Sequence, residues 1–287
     1  MKKRKNNSVF IRVFVVSFLI FLSLLFLAGG FMGSKENHER FLLLGIDSSD
    51  YSEVSSVRSD TIMLVDMNTS SGEINIISIP RDTRAPIEGR KSPEKINHSF
   101  AYGGPELTLS TVRNLLGIEL DHYVLADYQL VKEFVDLVGG VDIHVPMDMK
   151  YSDPVADPPL HIDLKEGEQT LDGEKALQYL RFRKGYKDAD LGRVRAQQEF
   201  MKELFGQSIK LGNISKIPGM IGIYNNNMET NISFFEMVIY GVQSLRLDMD
   251  KINGYTLPGS AKMMEGLSYF IHDHNETEQL LIDIGIK

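Results

Sequence analysis

The chain has 287 residues, with 31 Lys+Arg against 39 Asp+Glu and a formal charge of −8. Lys2, Lys3, Arg4, Lys5 and Arg12 precede residue 33 with no acid among them, so removing those five charges leaves −13 on the remainder. An acidic body excludes a non-specific nucleic-acid binder, which needs a basic footprint to displace counterions; 43% hydrophobic residues exclude a disordered chain, and the absence of cysteine excludes disulfides, thiolate catalysis, Cys-ligated zinc and a lipidated N-terminal cysteine.

Residues 1–12 are a short basic N-terminus. Val13 to Met32 are 20 consecutive uncharged residues in which only Ser17 and Ser23 are polar. As a helix this stretch spans about 30 Å, the thickness of a bilayer core. The preceding positive charges place the N-terminus in the cytoplasm and the acidic body outside. The expectation is an uncleaved transmembrane signal-anchor over 13–32 and a linker over 33–40. A cleaved signal peptide ending near Ala28-Gly29-Gly30 is the alternative, but its apolar core is usually only about 7–15 residues. Either way, residues 41–287 belong outside the cell membrane.

Phe41-Leu42-Leu43-Leu44-Gly45-Ile46 is an apolar run that predicts a buried strand with Asp47 at its end. After a serine-rich loop, residues 61–66 and 74–79 flank the turn-forming Asn68-Thr69-Ser70-Ser71-Gly72 and predict an antiparallel hairpin stopped by Pro80. A helix is expected from Pro105 to Leu116, capped by Gly117, and a strand over 123–126. Leu130 to Val138 predict an amphipathic helix ended by Gly139-Gly140, and Val141 to Val145 a strand. Residues 146–163 hold four prolines and no periodicity, which predicts a loop bordering a site. Helices follow over 174–180, over 194–210 with Phe200, Met201, Leu204, Phe205 and Ile209 on one stripe, and from Ser233 to Leu245. Strands and helices mix without strict alternation and no break divides the body. The fold expected is therefore a single α/β domain with a mixed sheet.

Familiar enzyme signatures are missing: there is no Walker loop, dinucleotide fingerprint, HExxH or GxSxG. His272 and His274 lack a third ligand and read as surface residues, as do His144 and His161. Arginines beside aspartates at element ends carry the signal: Arg58-Ser59-Asp60, Arg81-Asp82, Arg181-Phe182-Arg183, and Asp188, Asp190, Arg193 and Arg195 before Gln197 and Gln198. If the chain is extended at Arg181–Arg183, both guanidinium groups share a face. The planar guanidinium fork suits phosphate. Aspartates beside a phosphate need a hard cation between them, and Asp47 and Asp60 are placed to hold Mg²⁺ with substrate oxygens completing its shell. Such a site suits phosphoryl transfer.

The sequence resembles the LytR–CpsA–Psr family. The resemblance rests on Leu42-Leu43-Leu44-Gly45-Ile46-Asp47, Arg58-Ser59-Asp60-Thr61, Ser78-Ile79-Pro80-Arg81-Asp82, Lys95-Ile96-Asn97 with Ala101-Tyr102-Gly103-Gly104, and Gly139-Gly140-Val141. It continues through Leu171-Asp172-Gly173-Glu174-Lys175-Ala176-Leu177, Arg181-Phe182-Arg183 and Asp190-Leu191-Gly192-Arg193 with Gln197-Gln198. These motifs occupy residues 41–205. The resemblance implies an α/β/α fold with a mixed central sheet and an apolar cavity for a lipid tail. It implies an enzyme that moves wall teichoic acid or capsular polysaccharide from a polyprenyl pyrophosphate carrier onto peptidoglycan. Carried over by motif, Asp47 and Asp60 are the Mg²⁺ ligands, and Arg58, Arg81, Arg181, Arg183, Arg193 and Gln197 hold the pyrophosphate. Arg81, Asp60 and Asp190 are the candidate catalytic residues, with Asp190 as base. Two positions depart from the family: Ser48-Ser49-Asp50 and Ala196 stand where many members carry arginine. Rival readings are a non-catalytic polyprenyl-phosphate binder and a membrane-bound transcriptional attenuator; pyrophosphate hydrolysis is an expected side activity.

Overall fold

The computed structural model describes residues 38–46, 59–155, 159–183, 185–186, 190–208, 229–264 and 266–287, with residues 216, 219, 222 and 223; the side chains of residues 190, 191, 238, 242, 245 and 249 are outside that description. The expected anchor over 13–32 lies outside it too. No helix among the described residues is long and apolar enough to cross a membrane.

Along the chain come β1 (His38–Ile46), β2 (Ser59–Asn68), β3 (Glu73–Ser78), β4 (Arg84–Ala85), β5 (Glu94–Lys95), α1 (His98–Leu116), β6 (His122–Ala126) and α2 (Tyr128–Val138). Next are β7 (Val141–Val145), β8 (Met149–Asp153), β9 (Leu160–Leu164), β10 (Gly167–Leu171), α3 (Gly173–Arg181) and α4 (Asp190–Ser208). The last are β11 (Glu229–Thr230), α5 (Phe234–Gln243), β12 (Ile252–Thr256), β13 (Gly259–Met264), β14 (Leu267–His272) and α6 (His274–Asp283).

The central sheet has the order β11-β6-β1-β2-β3-β12. Strand β1 is parallel to β6, and β3 to β12, whereas β2 runs antiparallel to both of its neighbours and β11 antiparallel to β6. The carboxyl ends of β1, β3, β6 and β12 therefore share one edge with the start of β2. Along β1, Leu42, Leu44 and Ile46 face one side, where they pack with Phe100, Val112 and Leu116 of α1 and Leu281 of α6. On the opposite face Phe41 and Leu43 join Met63, Val65, Ile74 and Ile76 against Met201 and Phe205 of α4. Strands covered on both faces read as continuous apolar runs, and each buried Leu or Ile contributes about 1.5–3 kcal/mol. Phe200 and Leu204, on an adjoining strip of α4, enter a second apolar cluster with β7 to β10, α2 and α3. One helix thus joins the two parts of the core.

The structure corrects three expectations. Residues 146–163 are not a structureless loop, because β8 and β9 pair antiparallel from Met149↔Leu164 to Asp153↔Leu160. Pro146, Pro154 and Pro159 flank these strands and leave the alternation of buried Met149, Ile162 and Leu164 intact. Helix α1 begins at His98, seven residues before Pro105. Gly103 and Gly104 leave helical geometry, Gly104 at φ 66 and ψ −157, and Pro105 then opens the regular part. Helix α4 begins at Asp190, so Arg193 and Arg195 lie on its first turns and do not precede it.

Candidate active site

Open α/β sheets bind ligands outside the carboxyl ends of their strands, and the described candidate residues gather at that edge. Asp60, second residue of β2, is ion-paired through Oδ1 with Arg81, and its Oδ2 lies 3.5 Å from Nη2 of Arg183. The Asp60 and Arg81 side chains are each 26% exposed, so the pair opens to solvent. Arg193 and Gln197, four apart on α4 and hence on one face, line the same cleft as Asp60, Ser78, Pro80 and Arg81. Arg193 is only 4% exposed. Its charge acts through little water and is screened less than a surface charge would be.

Local structure explains how these side chains are presented. Pro80 ends β3, and both the amide and the hydroxyl of Thr83 donate to its carbonyl, at 2.9 and 2.6 Å, closing a tight turn around Arg81 and Asp82. The Asn97 amide donates to the Arg81 carbonyl at 3.2 Å, and the Phe270 amide of β14 to the Asp82 carbonyl at 2.9 Å. The turn is therefore gripped from two sides. Helix α4 is fixed by Gln198, whose side-chain amide donates to Ser78 Oγ at 3.0 Å and to the Tyr255 carbonyl, tying it to the ends of β3 and β12. At its first turn, Gly192 lies against the ring of Tyr186, and a Cβ there would overlap that side chain. Burial pushes the Tyr186 phenol up to about 12, so it stays neutral.

The other candidates distribute differently. Arg181 is the last residue of α3, and its guanidinium lies 4.7 Å from the ring centroid of Tyr128, just past the carboxyl end of β6. Phe182 then turns extended, at φ −68 and ψ 128, and is buried in the second cluster. Extended geometry thus starts one residue too late for the two arginines to act as a matched pair: Arg183 reaches Asp60, and Arg181 stacks on an aromatic ring. The register pairs Ile46 with Ser59; Asp47 and Arg58, next to them in sequence, lie outside the described residues. The backbone of Asp190 opens α4 and its side chain is not described. Ala196 is buried in the second cluster while Arg195 is exposed. His272 and His274 contact each other at the surface, with ring centroids 6.4 Å apart. His144 has a partner that the sequence did not disclose, Glu168 across the β7–β10 ribbon at 2.8 Å.

Lys95 is a cation of this region that sequence reasoning left unassigned. Its Nζ lies 2.7 Å from the Asp82 carboxylate and 5.9 Å from the Tyr269 ring centroid. The residue was visible in the Lys95-Ile96-Asn97 motif. Its position depends on pairing Arg84 with Lys95 in the two-residue ribbon β4–β5, too short to leave a periodic signal.

A carboxylate between two arginines, beside a buried arginine and a glutamine amide, can exchange its partners for an anionic ligand with several oxygens. No group of three or more His, Cys, Asp or Glu among the described residues is arranged to hold a metal. A Mg²⁺ site needs less from the protein, since the ion commonly takes one or two carboxylates and fills its shell with water and phosphate oxygens. The hard, partly exposed Asp60 carboxylate fits that donor chemistry.

The LytR_cpsA_psr family model matches residues 25–283, beyond the stretch that carries the motifs. An Enterococcus faecalis protein named polyisoprenyl-teichoic acid–peptidoglycan teichoic acid transferase TagU is 31% identical over 242 residues, covering 84% of this chain and 77% of that one. The crystal structure of B. subtilis TagV matches at 32% identity with a TM-score of 0.73, covering 87% of this chain and 96% of that one. A structure of TagT bound to LIIa-WTA matches at 28% identity with a TM-score of 0.69, covering 86% and 89%. The mixed α/β domain, its central mixed sheet and a family match over most of its length together show that this chain belongs to the LytR_cpsA_psr family.

Proposed function

We propose that this protein is a Mg²⁺-dependent phosphotransferase that moves a glycopolymer of the wall teichoic acid or capsular type from a polyprenyl pyrophosphate carrier onto peptidoglycan. In this reading residues 13–32 hold it at the outer face of the cell membrane. The observation that carries the reading is Asp60 held between Arg81 and Arg183, with Arg193 and Gln197 on the adjoining helix face. Support also comes from the relatives: one bears the name of a teichoic acid–peptidoglycan transferase, and TagT has been solved with LIIa-WTA.

The reaction is attack by a peptidoglycan hydroxyl on the phosphorus next to the sugar. It forms the phosphodiester and releases polyprenyl phosphate. When bound by Asp60 and Asp47, Mg²⁺ would supply charge neutralisation for pyrophosphate oxygens. Arg81 and Arg183 turn from Asp60 to those oxygens and align the scissile bond, while buried Arg193 holds its positive charge where negative charge grows in the transition state. The Gln197 amide donates a further hydrogen bond. Asp190 takes the proton of the attacking hydroxyl.

The test is transfer by the purified full chain, given a polyprenyl-pyrophosphate-linked glycopolymer, peptidoglycan and Mg²⁺. Phosphodiester-linked polymer on the acceptor, lost when EDTA is added, is the expected result. Tight carrier binding without product would make the protein a carrier-binding module. Release of polyprenyl phosphate without polymer attachment would make it a pyrophosphate hydrolase.

A further inference from the structure

We infer that helix α5 lies on the lipid surface, so that the end of the sheet carrying His38 faces the membrane and the Asp60–Arg81 end faces away from it. This rests on the anchor reading of residues 13–32, but it concerns the body and names a second membrane contact.

The helix itself is the first observation. Phe234-Phe235-Glu236-Met237-Val238-Ile239-Tyr240-Gly241-Val242-Gln243 is apolar around its circumference, with only Glu236 and Gln243 as exceptions. Helices of that kind are buried in a protein core or in lipid. Among the described apolar side chains of α5 none is buried: Phe234 is 47% and Phe235 52% exposed, and Met237, Ile239 and Tyr240 are half-buried. Its one charge is tied down at the helix start. Glu236 accepts from the Ser233 amide at 2.8 Å and the Ser233 hydroxyl at 2.6 Å, a capping box that leaves the rest of the helix uncharged.

Position is the second. Asn231, just ahead of α5, accepts from the Tyr123 amide at 2.9 Å and donates to the Asp121 carbonyl at 2.6 Å, at the amino end of β6. Gln243, the last residue of α5, donates to Glu39 at 3.5 Å, beside the first residue of β1. Beyond it the Asp248 amide bonds the Gly72 carbonyl in the β2–β3 turn at 2.8 Å. Helix α5 therefore crosses the amino end of β1. Ile282, exposed near the end of α6, joins it there, since Ile286 four residues on accepts from Arg40 of β1.

Chain length supplies the occupant. Five residues, 33–37, separate the apolar stretch from His38, and an extended chain of five spans at most about 18 Å. A bilayer crossed by residues 13–32 is thus within reach of a helix that touches Glu39. In the segment after α5 the charges balance, Arg246 and Lys251 against Asp248 and Asp250, so apolar burial in the interface is the attraction.

The absence of cysteine makes a direct test clean. The full chain is placed in phosphatidylglycerol–phosphatidylethanolamine liposomes with a fluorophore on Phe235→Cys or Ile282→Cys, and quenched by brominated acyl chains or by aqueous iodide. Met263→Cys, on the exposed hairpin packed beside the Asp82 turn, is the control for a generic apolar surface, and Ser23→Cys reports the anchor. Brominated lipid is expected to quench the Phe235 and Ile282 labels roughly twofold or more, as for side chains about 5–10 Å into the interface, and to leave the Met263 label unchanged. Iodide quenching of Phe235 and Ile282 equal to that of Met263, or access by neither quencher, overturns the proposal. An unquenched Ser23 label on a chain that does not float with the liposomes refutes the anchor, and the proposal falls with it.

Discussion

Asp60 holds two arginines, and its removal separates catalysis from folding. The carboxylate is partly exposed, and ion pairs in that setting are worth about 0–1 kcal/mol. Asp60→Ala is therefore expected to unfold at nearly the wild-type temperature while transfer falls by about 10²–10³-fold or more, the loss seen when one preorganised electrostatic partner is removed. Near-wild-type turnover by the folded variant would sink the metal assignment. Asp60, Arg81, Arg183 and Arg193 were legible as a group because each lies near an element end, at the start of β2, after Pro80, just past α3 or in the first turn of α4; Gln197, deeper in α4, was legible through its motif. Arg181 was less so, because its partner Tyr128 comes from a helix more than 50 positions away. Glu94, outside the cleft, offers a pH test. Hydrogen bonds from Tyr102 first, then His98 and Arg90, lower its carboxyl from the ordinary 4.5 to about 2. A lowered carboxyl stabilises the fold above its unfolded value and loses that contribution as pH falls toward the folded value. Urea unfolding should show Glu94→Gln weaker than wild type at pH 6, with the difference shrinking between about 4.5 and 2.

At the scale of elements, α4 decides whether the site is assembled. It carries Arg193, Ala196, Gln197 and Phe200 on one stripe, with Arg193 and Gln197 at the cleft and Ala196 and Phe200 in the second apolar cluster, and Gln198 pins it to β3 and β12. Its two glycines give opposite expectations. At Gly192 a methyl group would overlap the Tyr186 ring, whereas at Gly206 nothing lies within 4 Å. Gly192→Ala should cost about 1–3 kcal/mol through overpacking and reduce transfer by shifting the turn that bears Arg193. Gly206→Ala should stabilise by up to about 0.5–1 kcal/mol, because a glycine in helical geometry gives up more backbone entropy than alanine. Thermal unfolding and transfer rates of the two variants, measured side by side, check both; equal behaviour would refute the packing account. The sequence disclosed α4 through the apolar stripe from Phe200 to Phe205 and the central strands through their continuous apolar runs. It hid β8 and β9, since prolines at strand ends look like prolines in a loop, and it hid β4–β5, which has no period to read.

For the whole molecule, the two ends of the sheet have different work. The carboxyl ends gather the cations of the cleft, while the amino end of β1 holds a buried polar knot about Asp66. This carboxylate is fully buried in an apolar-rich strand. It accepts from Arg40 Nε at 3.0 Å, lies 2.9 Å from His38 Nδ1, and accepts weakly from Asn75 at 3.4 Å. Arg40 in turn reaches the Ile286 carbonyl at 3.3 Å, so one residue joins the start of β1, the end of β2 and the C-terminus. Nothing in the −8 of the whole chain or the −13 of the body distinguishes this acid from those at the surface; only the register that sets Arg40 opposite Asp66 does. Removing one partner of a buried pair strands the other, at a cost of about 3–5 kcal/mol. For a body of this size each kcal/mol moves Tm by about 2–4 °C, so Asp66→Ala should melt roughly 10 °C below wild type. Asp66 follows Asp60 by six positions along β2, which sets the knot about 20 Å from the cleft. Transfer per folded molecule should therefore be unchanged below the new Tm. Asp66→Asn keeps hydrogen-bond acceptance without the charge and should fall between the two. A calorimetric scan paired with the transfer assay decides the matter: lost activity at full stability would make the knot part of the reaction, and unchanged Tm would show that Asp66 does not hold this end of the domain together.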